Sequence, residues 1–94
     1  MKKTFDLTHP KINIDRMVDS VKHEIKKYLK RERNKSLPEG IGYWEFDCKF
    51  GVTEAVAKKV YLKEINKMID ESVANGATSF YVEILAKPGE MKTV

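Results

Sequence analysis

The sequence predicts an α+β fold, a two-layer sandwich in which two helices cover one face of a four-stranded sheet in the chain order β-α-β-β-α-β. Three observations carry this expectation. Apolar residues at spacings of three and four run from Ile14 to Leu29, the stripe of a helix lying on a core. Apolar and polar residues alternate strictly over YWEFDCKF, the mark of a half-buried strand. Val56 and Val60 fall off the apolar stripe of the residues that follow them, which favours a strand there over one continuous helix.

The first strand is KTFDL, with Phe5 and Leu7 alternating with Thr4 and Asp6. THPK ends it, because the residue before a proline avoids the helical region. Asn13 or Asp15 then caps a helix, with Asp15 near its positive end. Ile14, Met17, Val18, Val21, Ile25, Tyr28 and Leu29 form its buried stripe, and it continues to about Arg33. NKSLPEGIG is a loop by composition. In the second strand Trp44, Phe46, Cys48 and Phe50 point to the core, with Trp44 read as a core residue, and Tyr43, Glu45, Asp47 and Lys49 point away.

Residues 51–79 admit two readings. One long helix from a Thr53 cap would gather Tyr61, Ile65, Met68, Ile69 and Val73 on one face. It would strand Val56 and Val60 on the other, at about 100° per residue, and leave a three-stranded β-α-β-α-β alternative. The preferred reading makes GVTEAVA a hairpin connection and KKVYLK a strand with Val60 and Leu62 inward. A helix then runs from near Lys63 to a Gly76 C-cap. TSFYVEILA is the last strand, with Phe80, Val82 and Ile84 inward. The expected domain is residues 1–86, ferredoxin-like in its order of elements, and residues 87–94 are expected to fray.

Composition bounds the function classes. The chain has 94 residues, 41% hydrophobic and 34% charged, which is globular and not disordered. A single cysteine, Cys48, excludes an internal disulfide and a thiolate metal cage, so a reducing cytoplasm is expected. MKKT opens like a secretory signal, but FDLTHPK puts charge and proline where an apolar core belongs. No apolar run approaches the roughly 20 residues that span a bilayer, so no membrane partner is expected.

KTFDLTHPK, VKHEIKKYLKRERNKSLPEG, WEFDCKFG and FYVEILAKPG together resemble a family of small bacterial proteins of unknown function, along nearly the whole chain. The resemblance implies no reaction, ligand or catalytic residue that could be carried onto these positions.

The positive charge is concentrated. Of a net +4, residues 22–35 carry seven Lys or Arg against Glu24 and Glu32, and the remainder of the chain is slightly acidic. Lys26, Lys27, Lys30, Arg31 and Arg33 lie opposite the apolar stripe of the first helix. Asp19 can pair with Lys22 or His23, and Glu24 with Lys27, at spacings of three or four. A solvated helix back explains such a run without a ligand. The functional alternative is phosphate binding, in which Lys and Arg on one rigid face release counterions from RNA or DNA.

The open sheet face is expected to carry Tyr43, Tyr61 and Tyr81, with Lys49, Lys59 and Lys63 among Asp6, Glu45, Asp47 and Glu83. It lacks the glycines and paired aromatics of an RNA-stacking sheet, and cross-strand pairing explains it without a ligand. Its acids are a weak candidate for a hard-cation site, since no spacing draws them together. Cys48 reads as a small buried hydrophobe, His9 as a turn residue, and no nucleophile elbow, phosphate-cradling glycine loop or metal-ligand spacing occurs.

The expectation is therefore a non-catalytic binding module. It would meet a polyanion (RNA, the ribosome or a DNA backbone) through Lys26, Lys27, Lys30, Arg31 and Arg33. The alternative is a protein-interaction or homodimerising module using Tyr43, Tyr61 and Tyr81. No catalytic residue, metal ligand or cofactor is expected, and an enzyme is the least favoured class.

Overall fold

The computed structural model describes residues 1–37 and 39–89. Its elements are β1 (Lys2–Asp6), α1 (Ile14–Arg33), β2 (Trp44–Gly51), β3 (Lys58–Val60), α2 (Ile65–Ala74) and β4 (Ser79–Pro88). The chain order is thus β-α-β-β-α-β, as the stripe, the alternation and the misfit valines require. In space the strands lie β1-β4-β2-β3, an arrangement that the order of elements leaves open, and every neighbouring pair is antiparallel.

Both helices pack on one face. Phe5, Cys48, Phe50, Phe80, Val82 and Ile84 from the strands meet Val18, Val21 and Ile25 of α1 and Ile65 and Ile69 of α2 in one buried cluster. Phe80 sits at its centre, with its ring 5.8 Å from Phe5 and 5.3 Å from Phe50. Asn13 caps α1: its side-chain oxygen accepts the Arg16 N–H at 2.9 Å, satisfying one of the four free donors of the first turn. Asn75 and Gly76 end α2, and Gly76 takes φ +83, a left-handed turn that costs glycine nothing.

Four expectations need correction. The third strand spans only Lys58–Val60; the chain then enters a 3-10 turn (Leu62–Glu64), and Leu62 reaches the core from that turn. The Tyr61 N–H is taken by the Glu64 carboxylate at 3.3 Å, and the Tyr61 carbonyl accepts the Glu64 N–H, so the backbone curls into α2 instead of extending the strand. Ile14, the first residue of α1, is 39% exposed and not part of the buried stripe. Trp44 is half-buried at the mouth of β2, outside the buried cluster, where its indole N–H donates to the Lys35 carbonyl at 3.1 Å. Lys87 and Pro88, placed in the frayed tail, pair with Glu45 and Trp44 as the end of β4, while positions 90–94 of that tail lie outside the described residues.

Candidate functional site

The two helices run antiparallel, and their relation sets the electrostatics of the helix layer. The C-terminal half of α1 lies beside the start of α2, and Asp15 and Asp19 of α1 lie beside Asp70 and the last turn of α2. Lys22 ties the helices together midway, its Nζ 2.7 Å from the Asp70 carboxylate. The layer is therefore basic at one end and acidic at the other.

At the basic end a groove of about 680 Å³ opens between the helices. One wall is the α1 flank carrying Lys22, Lys26, Lys30 and Arg33. These residues are three or four positions apart, so successive bases stand about 4.5–6 Å apart along the axis. Lys63, from the turn before α2, and Asn66 form the other wall, with His23 and Asn34 at the margins. Ile25, Leu29, Leu62 and Ile65 make an apolar floor, against which the lysine stems can lie while their ammonium groups stay in water. Among the described residues no acidic side chain lines the groove.

The acids of the basic run are turned elsewhere. Glu24 reaches down to Lys3 of β1 at 3.0 Å instead of pairing with Lys27, and Lys22 takes Asp70 in place of Asp19. Glu32 is buried and paired with Lys35 at 2.8 Å. None of Lys26, Lys27, Lys30, Arg31 and Arg33 has an acidic partner among the described residues. Arg33 lies 5.4 Å from the Phe46 ring and Arg31 5.8 Å from the Tyr28 ring, contacts that steady a guanidinium without neutralising it.

Of the five bases expected from the sequence, Lys26, Lys30 and Arg33 line the groove, whereas Lys27 and Arg31 lie off it. Lys22 and Lys63 were missed. Lys22 continues the Lys26–Lys30 spacing one turn earlier, a signal present in the sequence. Lys63, expected on the open sheet face, moved because the chain turns into α2 immediately after Val60.

The structure does not gather the three tyrosines. Tyr43 precedes β2, Tyr61 follows β3 at the level of Asp47, and Tyr81 pairs with Gly51, so they are spread over eight positions of β2, roughly 27 Å. Tyr43 and Tyr61 are 44% and 71% exposed, but Tyr81 is 3% exposed. Burial and a 2.8 Å hydrogen bond to Glu83 push its phenol up to about 12. Of the acids near them, Asp47 and Glu45 lie 3.2 Å and 3.9 Å from Lys87, and Glu83 stands opposite Lys2 and Lys49 in the register of the neighbouring strands. Among the described residues no group of three metal-ligating side chains occurs, and no helix is long and apolar enough to cross a membrane. Cys48 is buried, and loss of hydration pushes its thiol up to about 11, away from nucleophilic character.

A family model described as a family of unknown function (DUF6172) matches residues 1–93, and the chain belongs to that family. No curated protein and no solved structure matches it.

Proposed function

We propose that this member of a family of unknown function is a binding module that holds a single strand of RNA by its phosphates, along the groove between α1 and α2. The observation that supports this reading is the groove itself. Among the described residues, five Lys or Arg line one trench that no acid lines, and the acids of the same sequence run are bound elsewhere. Bases on both walls surround a backbone better than one exposed helix face can. The positive end of the α2 dipole adds to their field.

Among the described residues the groove lining has no aromatic on which bases could stack, so affinity rests on phosphate contacts and sequence preference is weak. A fluorescence titration of labelled single-stranded RNA at low salt tests the reading, using the wild type and a K26Q/K30Q/R33Q/K63Q variant. The wild type binds, and the variant loses at least tenfold in affinity. Absence of binding by the wild type, or undiminished binding by the variant, returns the basic face to a solvated helix surface. Preference for duplex DNA over the single strand would keep the groove and change its occupant.

A further inference from the structure

Among the described residues no strand pairs with the outer edge of β1, a second surface that the groove does not use. In its antiparallel pairing with β4, the Met1 nitrogen donates to the Ile84 carbonyl at 2.6 Å, Ile84 N–H returns to Met1 O at 2.8 Å, and Leu7 N–H bonds Thr78 O at 2.8 Å. These bonds place the odd-numbered residues in hydrogen-bonding pairs with β4. The backbone N–H and C=O groups of Lys2, Thr4 and Asp6 consequently point away from the sheet. A strand edge of this kind is a template for another strand, and proteins that must stay single normally blunt it. The opposite edge is blunted: β3 has three residues and curls at once into a 3-10 turn.

We propose that the β1 edge pairs antiparallel with the β1 edge of a second copy of this chain, about a two-fold axis at Thr4. Only even-numbered residues have outward-facing backbone groups, so they must pair with one another. Centring on Thr4 places Thr4 opposite itself and Lys2 opposite Asp6 of the partner subunit, twice over. Threonine pairs and opposite charges are both favourable cross-strand neighbours. Centring on Lys2 would oppose like charges, and shifts that set Lys2 against Thr4 lose pairs, so the sequence of the edge selects one register. The contact is self-complementary, as a two-fold interface requires.

The ground beside the edge fits the same symmetry. Between β1 and α1 lies an apolar cleft of about 280 Å³, floored by Phe5, Met17 and Val21, with Ile12 (40% exposed) at one end. Arg16, Ser20 and Glu24 line it at intervals of four residues along α1. A two-fold axis brings the two clefts together with their helices antiparallel, so that Arg16 of one copy approaches Glu24 of the partner subunit. Because both helices of each copy lie on one face of the sheet, the dimer would present its two basic grooves on the same side.

Light scattering on the full chain across a concentration series tests the proposal. The mass should double as concentration rises, and the Thr4 amide should exchange more slowly in the dimer. T4P removes only an outward-facing N–H, a substitution edge strands tolerate, so it should keep the circular dichroism spectrum and abolish dimerisation. K2D should weaken association by opposing two acids, and K2D/D6K should restore it. A monomer at millimolar concentration would overturn the proposal. So would a dimer that survives T4P, or one that Y61A breaks and T4P does not.

Discussion

Gly51 closes β2 where a Cβ would stand 2.6 Å from Ala57 Cα and 2.9 Å from Ala57 nitrogen, both backbone atoms with no rotamer to move. Gly51→Ala should therefore cost about 1–3 kcal/mol, the usual penalty of overpacking. Gly76→Ala meets no neighbour but must hold φ +83, a strain of about 1 kcal/mol. Gly42→Ala, with nothing within 4 Å, should leave the urea midpoint unchanged and serves as the control. Two raised acids give a pH signature. Cys48 at about 11 and Tyr81 at about 12 keep their protons in the fold above the range in which an unfolded chain releases them. Unfolding then releases protons, so the urea midpoint should fall as pH rises from about 8 to about 10.5, and less steeply in Cys48→Ala. Alternation was enough to place Cys48 and Phe50 inside. It failed for Trp44, whose position at the strand mouth depends on where α1 ends above it. It failed for Tyr81 too, since the polarity of a face says nothing of local cover.

The helices and strands differed in how far their limits could be read. The bounds of α1 were legible at both ends, because the capping oxygen of Asn13 and the basic last turn are local signals. Asn13→Ala should lower stability by about 1 kcal/mol through the lost cap, measured by urea denaturation. In α2, Ile69 is fully buried between the layers, and Ile69→Ala should cost about 2–5 kcal/mol by the same measurement. The misfit of Val56 and Val60 correctly broke the long helix. Helical period cannot say what replaces a helix, and the two 3-10 turns (Glu54–Val56 and Leu62–Glu64) carried no signature. Shortening β3 to three residues followed from the hydrogen bonds between Tyr61 and Glu64, which a propensity scale does not contain.

At the scale of the molecule, what could not be read was relation: which strands are neighbours, and which helix ends meet. The basic run was visible as charge, but a trench requires a second wall, and Lys63 supplies it only because the helices are antiparallel. The same relation keeps Asp15 and Asp19 at the far end of the helix layer and Asp70 midway against Lys22, so the charge separation belongs to the fold and to no single segment. If the groove holds RNA as proposed, its affinity should come from this local arrangement and not from net charge. The most direct test is the slope of log K against log salt for single-stranded RNA, measured on three proteins. These are the wild type, the groove variant K26Q/K30Q/R33Q/K63Q, and K11Q/K49Q/K58Q/K59Q, which removes the same charge elsewhere. Each phosphate contact adds about 0.7 to the slope, so the groove variant should lose nearly 3 from it while the control keeps the wild-type value. Equal losses in the two variants, or none in either, would overturn RNA binding along the groove.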